Sequence, residues 1–280
     1  MIGRHGVFFE STALAFTCLV LAFYGPAAQA TEKSVGDLVA RAFAKRHVTG
    51  AFALLRKTGN GSWQQIVLDG AATEPQIPAS TFKIVNTLIG LETGVIRAGE
   101  VFPWDGKPRE LKAWEQDLTL AQAIKVSCVP CFQDVARRIG AARMQPWLTK
   151  LAYGNATLGT VVDRFWLDGP LVIAPAEQVR FLRRLYDGEL PIARQHQDIV
   201  KRLLLVEEAA RYRLFAKTGW AKAVEPNVGW YVGWVEAGDA VYVFATMVKL
   251  GQSQAPLMAT VRRDVTLDIL GALGLPLATQ

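Results

Sequence analysis

Strand signals stand at the two ends of this chain and helix signals fill its middle, and that distribution constrains the architecture more than any single motif. An amphipathic helix with a polar start is expected over 34–46, and Gly50–Arg56 and Trp63–Leu68 follow with strand character. Lys57-Thr58-Gly59-Asn60-Gly61-Ser62 between them is turn chemistry, so the pair forms a hairpin. Helices are expected at 80–93, 119–126, 131–139, 143–151, 175–186 and 195–206, with a connecting loop from Gly154 to Gly169. Strands return at Arg213–Thr218, Gly229–Glu236 and Ala240–Val248, the last two joined across Gly238-Asp239. A helix over about 259–273 closes the chain, ended by Gly274 and Pro276. The economical arrangement is an α/β fold, with one antiparallel sheet assembled from both ends, helices packed on it, and an inserted, mostly helical lobe. The sheet lobe takes about 31–79 and 207–280, and the helical lobe about 80–206.

The junction of the lobes falls on Pro78-Ala79-Ser80-Thr81-Phe82-Lys83-Ile84-Val85-Asn86. Clefts between lobes are where ligand sites preferentially form. Turn-prone residues lead into Ser80, and an apolar helix follows. On a helix, residues three apart are neighbours, so Lys83 brings an amine within reach of the Ser80 hydroxyl. A serine becomes a good nucleophile when an adjacent base takes its proton. Ser80 could equally be a plain helix N-cap, so this stretch alone does not decide.

A hydrophobic fraction of 51% with 20% charged residues describes a globular chain with a sizeable core. The formal charge of +6 is scattered, with no Lys/Arg block of the kind that marks a nucleic-acid tail. Residues 1–30 read as a cleavable secretory signal: Arg4 and His5, an apolar run from about Ala13 to Phe23, then Ala28-Gln29-Ala30. The apolar run is shorter than a membrane span needs, so no anchor is expected after cleavage. Removing Arg4 and Glu10 leaves the charge at +6. Two cysteines then remain, Cys128 and Cys131. His47 and His196 are the histidines left to join them, and no zinc site is expected. If 128–131 is helical, the Cβ separation exceeds what a disulfide wants, so buried thiols are expected, with a local disulfide the alternative.

A serine with a lysine base also needs a second proton path, an oxyanion hole and a handle for the substrate. Three later stretches can supply them. Ser127-Cys128-Val129 offers a hydroxyl just after a helical run. Lys217-Thr218-Gly219-Trp220 places an ammonium and a hydroxyl on a strand, followed by a glycine that lets backbone approach a ligand. Trp166 offers an indole N–H, a donor with no acceptor role.

Taken together, the motifs resemble the class D β-lactamases, the oxacillinases of the serine β-lactamase and penicillin-binding protein superfamily. Ser80-Thr81-Phe82-Lys83, Ser127-x-Val129, Tyr153-Gly154-Asn155, Phe165-Trp166-Leu167 and Lys217-Thr218-Gly219 occur in that family's order and spacing. Trp104-Asp105-Gly106-Lys107-Pro108-Arg109 and Gly229-Trp230-Tyr231-Val232-Gly233-Trp234-Val235 extend the likeness over nearly the whole chain after residue 30. Lys57-Thr58-Gly59 repeats one motif, but it precedes Ser80 and its hairpin turn explains it.

The resemblance implies a serine β-lactamase/transpeptidase-like fold and a periplasmic enzyme that opens the β-lactam ring of penicillin-type antibiotics through an acyl-serine, conferring resistance. It implies Ser80 as nucleophile and backbone N–H groups of Ser80 and Trp220 as oxyanion hole. Lys83 would be carboxylated by CO2 or bicarbonate to serve as general base, held by Trp166. Ser127 would relay a proton to the leaving nitrogen with Lys217 beside it. Thr218 and an arginine would bind the substrate carboxylate, Arg262 holding the family position with Arg263 the alternative. Val129, Leu167, Gly219 and Trp220 would line the substrate cleft. The partners implied are small β-lactams and no nucleic acid, with a monomer or homodimer as the assembly. An acylated but non-hydrolysing sensor and a DD-peptidase are the alternatives; a sensor wants membrane helices, and a DD-peptidase wants Ser-x-Asn where Ser127-x-Val129 stands.

Overall fold

The hairpin and the C-terminal strands do meet in one sheet, and every pairing in it is antiparallel. The computed structural model describes residue 3 and residues 32–68 and 70–277. The expected secretory signal, Gly3 apart, lies outside the described residues. The elements run α1 (Glu32–Lys45), β1 (Thr49–Lys57), β2 (Trp63–Leu68), α2 (Lys83–Glu92), β3 (Val101–Phe102), β4 (Leu118–Thr119), α3 (Leu120–Lys125), α4 (Val129–Ile139), α5 (Ala141–Leu151), α6 (Pro175–Asp187), α7 (Arg194–Leu203), β5 (Leu205–Ala209), β6 (Tyr212–Ala221), β7 (Asn227–Ala237), β8 (Ala240–Leu250) and α8 (Met258–Ala272). Residues 31–280 form one compact unit.

The six-stranded sheet has the order β2-β1-β8-β7-β6-β5, so the N-terminal hairpin docks against the last strand of the chain. Thr49–Lys57 pairs with Val241–Lys249, which closes the two ends on each other. The central strand β7 is buried along both faces from Asn227 to Val235. A strand covered on both sides reads as a continuous apolar run, as Val228-Gly229-Trp230-Tyr231-Val232-Gly233-Trp234-Val235 does. One face packs on α1 and α8, through Val39, Phe43, Val261 and Val265. The other packs on α2, α6 and the remaining helices, in a larger core that includes Phe82, Leu88, Phe132 and Trp166.

Two expectations need correction, and one small element went unread. The helix expected to start at Ser80 begins at Lys83, and a 3-10 turn at Ala79–Phe82 carries the serine. The helix expected over 195–206 stops at Leu203, and Leu205–Ala209 turns back as an edge strand on β6. Leu203-Leu204-Leu205-Val206 is apolar without a period, so helix and strand are indistinguishable there from sequence. The two-residue pair β3–β4 is too short to leave a periodic trace.

Gly233 shows how tightly the centre is built. A Cβ there would lie 1.9 Å from the Phe215 carbonyl oxygen and 2.8 Å from Ala216 Cα, both main-chain atoms that cannot turn away. Gly233→Ala should therefore lower the unfolding free energy by about 2–3 kcal/mol, read by urea denaturation. A change within experimental error would show that β6 and β7 can separate at no cost.

Candidate active site

Ser80 owes its position to the residue before it. Ala79 is fully buried and left-handed, φ 47°, a conformation that a side chain disfavours. Ties on each side hold that turn. Gln76 and Ile173 exchange two backbone hydrogen bonds at 2.9 Å, and the Trp230 indole donates to the Ile77 carbonyl at 2.9 Å. Thr81 donates its hydroxyl to the Pro78 carbonyl at 2.8 Å, and Gln178 donates to Thr81 Oγ1 and to the Tyr153 hydroxyl.

Lys83, one turn on, brings Nζ to 2.6 Å from Ser80 Oγ. Its side chain is fully buried among Phe82, Phe132 and neighbouring helices, with Nζ 5.7 Å from the Phe132 ring. No carboxylate pairs with it among the described residues. Burial therefore drives its pKa well below the usual lysine value, and the Lys217 charge pushes the same way. The Trp166 indole, stacked on Phe82 at 5.3 Å, is buried with Nε1 lacking any hydrogen-bond partner among the described residues. Asn155 shapes the loop that carries Trp166, donating to the Pro170 carbonyl and accepting from the Val172 N–H. An amine whose pKa burial lowers and an orphaned donor fit an added acidic group on Lys83.

Ser127 sits between α3 and α4, also left-handed at φ 54°. Lys217 donates from Nζ to Ser127 Oγ at 2.9 Å and to the Thr218 carbonyl at 3.1 Å. Lys217 is buried too, and its pKa falls to about 7, chiefly by desolvation and further by the Arg262 charge.

Strand pairing leaves Lys217–Ala221 open toward the serine. The register of β5 on β6 ends at Leu205 opposite Phe215, and the Ala216 N–H then donates to Leu204. Beyond that point β6 is a free edge running beside the Ser80 turn. Gly219 permits the approach, because a Cβ there would lie 2.9 Å from the Pro78 carbonyl oxygen and 3.1 Å from Thr81 Cγ2. Arg262 reaches the same edge from α8, donating Nη1 to the Gly219 carbonyl at 3.0 Å, while its buried Nε has no partner among the described residues. Burial lowers its pKa to about 10. Arg263 points elsewhere: burial raises the Tyr231 hydroxyl to about 12, and the adjacent Arg263 guanidinium offsets part of that rise.

A cleft of ≈ 510 Å³ joins these groups. Ser80, Ser127, Val129, Leu167, Thr218, Gly219, Trp220 and Arg262 line it. Lys83, Lys217 and Trp166 are the buried layer behind. Asp168, read from sequence as a surface or loop carboxylate, stands at the cleft rim bonded to Arg164. Lys57 of the repeated motif pairs with Asp187 at 2.6 Å, outside this cleft. Sequence reasoning missed Gln178, whose buried amide braces the Ser80 turn. Its one signal is a polar residue on the apolar face of α6.

Cys128 and Cys131 form a disulfide, which corrects the expectation of buried thiols. The earlier spacing assumed helix at 128–131. The chain enters α4 only at Val129, and Cys128 stands outside it as N-cap with φ −56° and ψ 106°.

The chain is similar to known proteins in sequence and in fold. The penicillin binding protein transpeptidase domain model matches residues 46–267. The β-lactamase OXA-5 of Pseudomonas aeruginosa is 41% identical over 264 residues, 92% of this chain and 96% of its own. OXA-10 of the same organism is 42% identical over 83% of this chain and 87% of its own. The solved class D β-lactamase FUS-1 (OXA-85) of Fusobacterium nucleatum subsp. polymorphum superposes with a TM-score of 0.80 at 34% identity, covering 86% of this chain and 99% of its own. The fold and the matched domain define a transpeptidase-domain protein. Within that class, the chain belongs to the class D β-lactamases.

The depressed Lys217 makes stability depend on pH. Between about pH 7 and the ordinary lysine pKa of about 10.4 the unfolded chain binds a proton there that the folded chain does not, so rising pH favours the fold. Wild type should gain stability over Lys217→Met as pH rises from about 7 to about 9.5, measured by urea unfolding at each pH. A pH-independent difference between the two proteins would mean that Lys217 keeps its proton in the fold.

Proposed function

We propose that this protein hydrolyses β-lactam antibiotics through an acyl-enzyme on Ser80. The observation that carries this reading is the pair Ser80–Lys83, a hydroxyl 2.6 Å from a buried amine with no counter-ion among the described residues. Ser80 Oγ attacks the lactam carbonyl carbon and gives up its proton on the Lys83 side. The developing oxyanion lies between the backbone N–H groups of Ser80 and Trp220, where preorganised donors stabilise it. As the ring C–N bond breaks, Ser127 Oγ hands a proton to the leaving nitrogen and is resupplied by Lys217, 2.9 Å away. A base near pKa 7 can both hold and release that proton. Thr218 and the free guanidinium donors of Arg262 receive the substrate carboxylate, a planar acceptor that suits the arginine fork.

Carboxylation of Lys83 is supported by its lowered pKa, since an amine must be neutral to add CO2, and by the Trp166 Nε1 donor, which has no partner among the described residues. The carbamate supplies a carboxylate-like base for acylation and for the water that later releases Ser80. Residues 1–30 carry the features of an export signal, so the working compartment is inferred to be the periplasm; no helix among the described residues is long and apolar enough to cross a membrane.

Residues 31–280 should turn over a chromogenic β-lactam many times, and added bicarbonate should raise the rate. Trp166→Ala should slow deacylation by about tenfold or more relative to acylation, through loss of the donor at Lys83. One stoichiometric burst that bicarbonate does not rescue would identify a trapped acyl-enzyme and reject the hydrolase reading.

Arg262→Ala should raise KM for penicillins by about tenfold or more, the worth of a charged hydrogen bond, while Arg263→Ala leaves it unchanged. The reverse pattern would move the carboxylate site to Arg263.

A further inference from the structure

Ser127 performs its proton transfer from a strained residue, and something must hold it there. A side chain at φ 54° sits in the left-handed region that residues with a Cβ disfavour. Released, the residue relaxes toward ordinary backbone angles and its hydroxyl leaves Lys217.

On the N-terminal side the restraint is a set of hydrogen bonds. The Trp114 indole donates to the Val126 carbonyl at 3.0 Å, Ser127 N–H to Ile124 at 3.2 Å, and Cys128 N–H to Ala123 at 2.9 Å. On the C-terminal side one weak hydrogen bond returns to the turn, Cys131 N–H to Cys128 Sγ at 3.2 Å, alongside Phe132 N–H to the Cys128 carbonyl at 3.4 Å. The Cys128–Cys131 bond adds the covalent restraint there. Through it the residue following Ser127 is locked to the first turn of α4. That turn is in turn fixed to the helix bearing Lys83, because Asn86 donates to the Phe132 carbonyl at 2.9 Å. A continuous chain therefore runs from Lys83 through α2, α4 and the disulfide to Ser127.

We propose that the Cys128–Cys131 disulfide is a positioning element for Ser127, acting on the acylation step of the reaction proposed above, on which this inference rests. Its effect on global stability is small by comparison. A disulfide closing so short a loop removes little freedom from the unfolded chain, whereas a misplacement of about 1 Å in a reacting group can cost about a hundredfold in rate. Both sulfurs are buried, so the bond is shielded from casual reduction once formed.

The test is Cys128→Ser with Cys131→Ala. Serine is a preferred N-cap, so the cap of α4 survives and only the tether is lost. Acylation and deacylation of Ser80 by a chromogenic penicillin are measured separately in stopped flow, with thermal unfolding alongside. Acylation should fall by about ten- to a hundredfold, with deacylation and melting temperature nearly unchanged. Equal losses in both steps, or a loss that follows the melting temperature, would mean a merely structural bond. Unchanged acylation would mean that the hydrogen bonds alone hold Ser127.

Should the variant not fold, wild type unfolded with a phosphine reductant, refolded reduced, and then reoxidised decides the matter. Recovery of the acylation rate on reoxidation, with thiol titration tracking it, supports the tether; a reduced enzyme acylating at the full rate overturns it. Oxidised wild type that forms no acyl adduct at all would reject the hydrolase reading rather than this inference.

Discussion

The structure depends on one constraint, that an amine lies in an apolar interior with no anion beside it. Burying an isolated ammonium is so unfavourable that the group sheds its proton instead. Lys83 meets that condition because the helix starting at its own position faces the larger core, where Phe82, Phe132 and Trp166 close around it. A carboxylate placed there would restore the charge and remove the basicity. The absence of an ion pair to Lys83 among the described residues is therefore part of the chemistry. The core that stabilises the helical lobe is the same medium that tunes the amine.

Two serines approach that amine and its neighbour Lys217 from opposite sides, and both come with left-handed backbone at or next to them. Ala79 precedes Ser80, and Ser127 is itself left-handed. Such conformations persist only where their surroundings over-determine them. The surroundings here come from distant parts of the chain. Trp230 of β7, Gln178 of α6 and Ile173 hold the first turn, while Trp114 and the disulfide hold the second. The free edge of β6 then fits against the Ser80 turn because Gly219 lacks a Cβ.

Much of this was legible beforehand, for identifiable reasons. The hairpin of β1 and β2 and the long strands β7 and β8 announced themselves by turn residues and apolar runs, which are local signals. Ser80-x-x-Lys83 was legible because a helical spacing of three fixes two side chains against each other. The end of α7 was not, since Leu203 to Val206 has no period and only pairing with β6 decides its state. The disulfide was misjudged because one left-handed residue, Ser127, moves Cys128 out of the helix, and backbone handedness leaves no mark in composition. Choosing between Arg262 and Arg263 required the rotational phase of α8 against the sheet. Lys217 was legible as an ammonium on a strand at the site, but its burial shows only in the fold, where the Ser80 turn packs beside β6.

Electrostatic order along the cleft links these parts. Arg262 depresses Lys217, and Lys217 depresses Lys83, so three basic groups stand in a row, each weakening the proton hold of the next. Burial first, and the Arg262 charge second, lower Lys217 to about 7. On the proposed reading, a substrate carboxylate seated on Arg262 cancels the charge at the head of the row. Proton affinity at Lys217 then rises, because the repulsion that lowered it is gone. The proton needed by the leaving nitrogen is thus held more firmly when an anionic substrate is present, next to Ser127. Lys83 lies one step further along, and its pKa is lowered chiefly by burial, so the substrate charge bears on it less. On that reading one substrate charge acts on the proposed proton donor, Lys217, and leaves the environment of Lys83 set by burial.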